Sequence, residues 1–219
     1  MQGIIGLSSM VVQQIEINQI NLVLNQLFND SKNDRDIVNE LFVNRAETSI
    51  TPKDFKDVYL SISKKQGEYL VELIRDNNLK NIVEFGTSFG ISTLFLAQGV
   101  LNTGGHIVTT ELIESKVKRA IVNFKKAGVN NLIQVKTGHA IETLKNYNAP
   151  IDLLVLDGWK NLYLPLFKML EHNFSSKTIV YVDNADMLES QTFLKIIKAT
   201  GKYKLLPKFG GKVALIVTK

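Results

Sequence analysis

Cysteine is absent from all 219 residues, which excludes disulfides, thiolate metal sites and cysteine nucleophiles. Long apolar runs are absent as well. No window of about 18 residues is free of polar side chains, as a membrane span requires. The N-terminal "MQGIIGLSSMVVQQIEINQ" lacks the basic start of a signal peptide, so a cytoplasmic protein with no membrane partner is expected. A third absence is charge clustering. The formal charge of +5 and pI near 9.2 invite a nucleic-acid partner. The basic groups, such as Lys64-Lys65, Lys116-Lys118-Arg119 and Lys125-Lys126, are scattered and no stacking aromatics interleave with them. A solvated basic surface is expected in place of nucleic-acid binding.

What is present is ample for a core: 45% of residues are hydrophobic, and one globular unit with an extra arm is expected. Residues 1–60 read as a helical arm, a lid or dimerisation element, in which Ile15, Ile17, Ile20, Leu22, Leu24, Leu27 and Phe28 form an apolar side. Asn29-Asp30-Ser31 interrupts it, and "TSITPKDF" breaks it again at Pro52, ahead of another short helix. Residues 61–219 alternate helical patterns with short β-branched runs, the signature of a mostly parallel α/β sheet with helices on both faces. Seven strands are predicted near Asn81–Phe85, His106–Glu111, Leu132–Thr137, Ile151–Leu156, Thr178–Val182, Tyr203–Pro207 and Val213–Thr218. "KFGGK" joins the last two as a hairpin, so one antiparallel strand belongs at or near the sheet edge.

The first strand runs into "NIVEFGTSFGISTLFLA", whose turn residues Gly86, Thr87, Ser88 and Gly90 precede a helix. In an open parallel sheet this turn borders the crevice where nucleotide-like ligands settle, and glycine lets backbone approach a ligand closely. The Gly-x-x-x-Gly spacing departs from the dinucleotide fingerprint, which disfavours NAD. A plain tight turn is the alternative. Glu111 ends the second strand, where an acidic side chain accepts ribose hydroxyls or, alternatively, caps the next helix. Gly138, His139 and Ala140 at the third strand end lie where an adenine would be, unless His139 is a surface-loop residue. These strand ends describe a site for an adenosine without a pyrophosphate, and S-adenosylmethionine is such a ligand. Ser92 and Glu84 would meet its methionine end, although Glu84 reads equally as a buried structural carboxylate.

Two further strands end on polar groups: "LLVLDGWKNLY" on Asp157, and "TIVYVDNAD" on Asp183 and Asn184. Adjacent parallel strands lie about 4.8 Å apart, so these oxygens converge. Two carboxylates and an amide carbonyl suit a hard divalent cation such as Mg²⁺. Singly, each is also an ordinary turn former or N-cap. Lys160 follows Asp157 by three residues and is placed to act as a general base, or else is a solvated lysine at a helix start. Trp159 forms a pocket wall or simply packs.

In order and spacing, "VEFGTSFGISTLFLA", "TTELIESKVKRAIVNFKKAGV", "TGHAIETL", "IDLLVLDGWKNLYLPLF" and "IVYVDNAD" resemble the cation-dependent O-methyltransferases typified by the catechol and caffeoyl-CoA enzymes. The resemblance covers roughly residues 63–219, and "LDGWKNLY" is especially similar to the catechol type. It implies a Rossmann-like class I methyltransferase fold, S-adenosylmethionine as donor and a Mg²⁺-like cation. By motif position it implies Asp157, Asp183 and Asn184 as metal ligands and Lys160 as catalytic base. It assigns Glu111 to the ribose and His139 with Ala140 to the adenine. Glu84, Gly86, Thr87, Ser88, Gly90, Ser92 and Gly138 complete the cofactor site, with Asp157 and Trp159 beside it. The implied acceptor is a hydroxyl of a small aromatic vicinal diol. Two departures stand out: His139 replaces an Asp of many relatives, and "LLPKFGGKVALIVTK" lacks the late acidic residue of the catechol enzymes, which argues against catechol itself. An RNA or protein methyltransferase gives the cation triad no purpose. A non-catalytic cofactor-binding protein stays open, because fold alone does not establish activity. The arm fits a homodimer as well as packing within one chain.

Overall fold

The computed structural model describes residues 2–44 and 50–219. The arm comprises α1 (Gln2–Asp30), a 3-10 turn (Ser31–Asn33) and α2 (Asp34–Asn44). Ile20, Val23, Leu24 and Leu27 are buried, because a step of about 100° per residue sets them on one side of the helix. The same geometry turns Ile15 and Leu22 to the opposite side. They are 61% and 64% exposed, so the apolar face expected from the sequence is corrected at both positions. Thr48 and Ser49, where the second break was expected to begin, lie outside the described residues. Beyond them Pro52–Phe55 form a single 3-10 turn where a short helix was expected.

The remainder is a layered α/β unit: α3 (Lys64–Asp76), β1 (Asn81–Phe85), α4 (Ile91–Thr103), β2 (His106–Glu111), α5 (Glu114–Lys126), β3 (Ile133–Thr137), α6 (Ala140–Leu144), β4 (Ile151–Leu156), α7 (Tyr163–Leu170), β5 (Phe174–Val182), α8 (Leu188–Ala199), β6 (Tyr203–Lys208) and β7 (Val213–Thr218). The sheet order is β3-β2-β1-β4-β5-β7-β6. All pairings are parallel except those of β7, which runs antiparallel to both β5 and β6 and lies one strand in from the edge. Gly210 and Gly211 take positive φ (64° and 92°) in the turn that makes this reversal. β5 begins four residues earlier than its apolar run, at Phe174, opposite an irregular register at Ile151/Leu153.

Alternation along the strands divides the core in two. Ile82, Ile107, Leu153, Val155 and Tyr181 face α1, α3, α4 and α5, whereas Val83, Val108, Leu154, Leu156 and Val182 face α6, α7 and α8. α3 and α4 pack closely at two glycines: a Cβ on Gly67 would enter the Phe95 ring, and one on Gly99 would stand 2.8 Å from Ile74. The arm closes the first layer. Phe28 meets Phe95 with ring centroids 6.2 Å apart, Gln13 Nε2 donates to Leu101 O (3.1 Å), and Gln19 Nε2 donates to Lys126 O (2.8 Å). The buried stripe of α1 is thus used within the chain. Among the described residues no helix is long and apolar enough to cross a membrane.

Candidate functional site

The chain lays down β1, β2 and β3 in one direction and then returns to place β4 and β5 on the other side of β1. Such a reversal opens a crevice beyond the carboxyl ends of the strands. Hydrogen bonding continues one residue past β4 and β5: Asp157 N donates to Phe85 O (2.9 Å) and Asp183 N to Leu156 O (3.0 Å). Asp157 and Asp183 are therefore held at the crevice floor by the sheet ladder itself.

Gly86 has φ +108°, and a Cβ there would stand 2.5 Å from the Asp157 carbonyl oxygen. At Gly90 (φ +93°) a Cβ would enter the Phe124 ring. Packing alone therefore demands both glycines, and the bare backbone they leave is also open to a ligand. Thr87 is buried with its hydroxyl 2.6 Å from that of Thr109. Ser88, at φ 48°, donates its backbone N–H to Glu111 Oε2 (2.8 Å) and its hydroxyl to Tyr59 O (2.7 Å). The other Glu111 oxygen accepts from Ile113 N (2.9 Å), and the Glu111 carbonyl accepts from Gly138 N (2.8 Å). Glu111 thereby joins the glycine turn to the end of β3 and also caps the backbone ahead of α5. His139 is exposed at the start of α6, whereas Ala140 is buried.

Glu84 matches the buried-carboxylate alternative. It is fully enclosed and accepts from the hydroxyls of Ser92, Thr93 and Thr109, each at 2.6 Å. Burial pushes its carboxyl up, against the pull of those three hydroxyls. The Ser92 hydroxyl is committed to Glu84, so these two residues support the turn from beneath.

At the β4 and β5 ends the side chains of Asp157 and Asp183 come within hydrogen-bonding reach of one another. Burial raises both carboxyls. The Asp183 charge raises Asp157 further, well above the usual carboxylate range, and Lys160 opposes the rise in both. Lys160 opens a 3-10 turn (Lys160–Leu162) before α7. Its Nζ lies 3.9 Å from Asp157 Oδ1 and donates to Gly158 O (3.0 Å), with the side chain only 16% exposed. Tyr163 OH donates to Asp183 O (3.3 Å). Trp159 is 38% exposed, with its ring 6.1 Å from that of Phe55.

A cavity of about 650 Å³ opens beside these groups, lined by Asp183, Asn184, Ser61, Ile62, Gln66 and Met187 among others. Asn184 takes φ 49°, which ends the strand and turns the chain along the cavity. A buried pair of carboxyls in contact, both raised by burial, with one lysine and a neighbouring amide is a donor set that a hard divalent cation would compensate. The residues present fit that group. Asp157, Asp183 and Lys160 are brought together as their spacing predicts, Asn184 lines the cavity beside Asp183, and the Ser88–Glu111–Gly138 group forms a second cluster on the other side of β1.

Two participants escape a reading of the sequence. Gln66 Nε2 donates to Asp183 Oδ1 (2.8 Å) while its Oε1 accepts from Ser63 N (2.9 Å). "SKKQ" is legible as a capping box, but the contact with Asp183 joins residues 117 positions apart. Lys116 reaches the glycine turn from α5, donating to Ser88 Oγ (3.1 Å), and nothing in its local pattern separates it from the exposed Lys118.

Comparison with known proteins finds O-methyltransferases. A catechol O-methyltransferase of Niastella koreensis is 30% identical over 129 residues, which is 57% of this chain and 58% of the relative. A catechol O-methyltransferase of Mycobacterium tuberculosis is 29% identical over 126 residues, 57% of each chain. These matches span less than two thirds of the relatives' own length. An O-methyltransferase from Bacillus cereus, solved in complex with SAH, superposes with a TM-score of 0.66 at 24% identity, covering 84% of this chain and 91% of that one, a likeness of fold. The family model described as O-methyltransferase matches residues 21–190, from the buried half of α1 through the ends of β1 to β5. By that match over most of its length, the chain belongs to the O-methyltransferase family.

Proposed function

We propose that this protein is an S-adenosylmethionine-dependent O-methyltransferase acting on a hydroxyl of a small aromatic vicinal diol and using a divalent cation. The observation that carries it is the meeting of Asp157, Asp183 and Lys160 at the floor of a crevice beside a 650 Å³ cavity. Asp157, Asp183 and Asn184 would hold the cation, which, when bound, supplies positive charge that favours ionisation of a phenol. Lys160, after giving its ammonium proton to solvent, accepts the proton of the acceptor hydroxyl on Nζ, and the oxygen then forms its bond to the methyl carbon as the sulfonium C–S bond breaks. The bonding pair stays on sulfur, giving S-adenosylhomocysteine. Glu111 accepts from the ribose hydroxyls and the bare Gly86–Gly90 backbone faces the methionine end. Positioning of this kind accounts for much of the rate such a transfer needs.

Lys64 and Lys212 also line the cavity, and among the described residues no ion pair is formed by Lys212. Their charge suits a diol that carries a carboxylate, such as caffeate. The exposed Met10, Val11, Ile15 and Leu22 leave an apolar strip on α1 that supports pairing with a second copy. Incubation with methyl-labelled S-adenosylmethionine and caffeate tests the activity. Labelled monomethyl ether is expected with Mg²⁺ and not with EDTA. Retained binding of S-adenosylhomocysteine with no transfer to any vicinal diol would indicate a non-catalytic cofactor-binding protein instead.

A further inference from the structure

Among the described residues Lys116 is the only basic side chain that is fully enclosed, at 3% exposure. No carboxylate lies within ion-pair distance of it in the described structure; Glu111, Asp34 and Asp57 act on it only through their fields, and burial dominates, lowering its pKa. Its Nζ donates to Val58 O (2.8 Å) and Ser88 Oγ (3.1 Å) and lies 5.2 Å from the Phe89 ring centroid. One ammonium therefore bridges the segment that links the arm to α3 and the turn that follows β1.

That segment is held from several directions. Ser88 Oγ donates to Tyr59 O (2.7 Å), and Asp34 Oδ2 accepts from Leu60 N (2.9 Å). Arg119, one helical turn beyond Lys116, donates to Tyr59 OH (3.1 Å) and covers the Phe89 ring at 4.4 Å. Tyr59 and Phe89 are themselves in ring contact, with centroids 4.4 Å apart. Leu60 and Ser88 both sit at positive φ (49° and 48°), a conformation that L residues rarely adopt without support from their surroundings. The contacts form a continuous chain: Val58 to Lys116, Lys116 to Ser88, and Ser88 N–H to Glu111. Stability alone gives little reason for a buried ammonium, since an apolar side chain of similar length avoids its desolvation. The donors of Lys116 are instead spent on joining residues 58–60 to the turn after β1.

We propose that Lys116 is a positioning residue: it pins Val58–Leu60 to the glycine turn and so sets Ser88 and Glu111 in place before an adenosine cofactor binds. The proposal rests on the function proposed above. The same pin fixes the start of Ser61-Ile62-Ser63, which line the cavity, so that the cofactor side and the acceptor side of the crevice share one support.

Titration with S-adenosylhomocysteine, together with hydrogen exchange of the free protein, tests it. Lys116→Met keeps the length of the side chain and its contact with Phe89. It should fold with little change in Tm and bind S-adenosylhomocysteine about tenfold more weakly, the loss expected for one charge-assisted hydrogen bond. Amides of residues 57–62 and 86–90 should exchange faster. Lys118→Met, on the exposed side of the same helix, should leave both readouts unchanged. Ser88→Ala removes an acceptor of Lys116 without touching the charge, and should weaken binding and speed exchange in the same two segments even if Lys116→Met fails to fold. Wild-type affinity and wild-type exchange in the variants would overturn the proposal. A wild-type protein that binds no S-adenosylhomocysteine would overturn the proposed function and the cofactor half of this inference, while the exchange comparison would still decide whether the pin exists.

Discussion

Lys160→Met is expected to lower turnover by about 10²- to 10⁴-fold, the range for loss of a positioned general base, with the affinity for S-adenosylhomocysteine unchanged. The separation follows from where the side chain sits. Its Nζ is 3.9 Å from Asp157 Oδ1 and bonded to Gly158 O, on the α7 side of β4, whereas the cofactor contacts proposed for Ser88 and Glu111 lie across β1. Methionine preserves the aliphatic stem that runs past Tyr163, whose ring centroid is 5.5 Å from Nζ, so the surrounding packing should persist. Steady-state rates with caffeate and a parallel binding titration read the two quantities. Equal losses in rate and cofactor affinity would make Lys160 a structural support of the crevice and not the base.

Asp183→Asn should act in opposite directions on stability and on cation response. In the protein without a cation, two buried carboxylates face each other and each is raised by burial, with the Asp183 charge adding to the rise at Asp157. Removing one charge relieves that repulsion, while the amide oxygen of Asn can still accept from Gln66 at the position where Asp183 Oδ1 now accepts at 2.8 Å. A gain of about 1 kcal/mol would raise Tm by roughly 2–4 °C for a domain of this size. Added Mg²⁺ should raise the Tm of the wild-type protein by mass action and leave the variant almost unmoved. Thermal unfolding with Mg²⁺ and with EDTA reads both effects. A variant that is less stable yet keeps the wild-type response to Mg²⁺ would remove Asp183 from the cation site.

Much of the site is legible in the amino-acid sequence because its residues sit at strand ends, and buried parallel strands announce their ends by a change from β-branched residues to Asp, Asn or Gly. Asp157, Asp183 and Glu111 are found in this way, and the Gly-Gly turn announces one antiparallel strand at or near the sheet edge, which the pairing with β5 identifies as β7. Properties that depend on distant partners are not legible. The first four residues of β5, Phe174 to Lys177, are hidden because Ser175, Ser176 and Lys177 are exposed and separate Phe174 from the apolar run. Ile15 and Leu22 look like core residues, and only their angle around α1 relative to Ile20 and Leu24 sends them outward. Gly86 suggests a ligand, yet its missing Cβ is already accounted for by the Asp157 carbonyl. Glu84 reads in the sequence either as a ligand contact or as a buried carboxylate, and only the hydroxyls of Ser92, Thr93 and Thr109 closing around it show the burial. Lys116 and Lys118 read alike, and only the docking of residues 58–60 makes one of them buried.

Calorimetric titration with S-adenosylmethionine, in Mg²⁺ and again in EDTA, followed by caffeate, is the most direct test of a cation held between the β4 and β5 ends. S-adenosylmethionine should bind in both conditions, since its proposed contacts at Glu111 and the glycine turn need no metal, and caffeate should bind only where Mg²⁺ is present. Caffeate binding of equal strength in EDTA would contradict the cation's role in holding the acceptor, and no binding of S-adenosylmethionine in either condition would contradict the proposed methyltransferase activity as a whole.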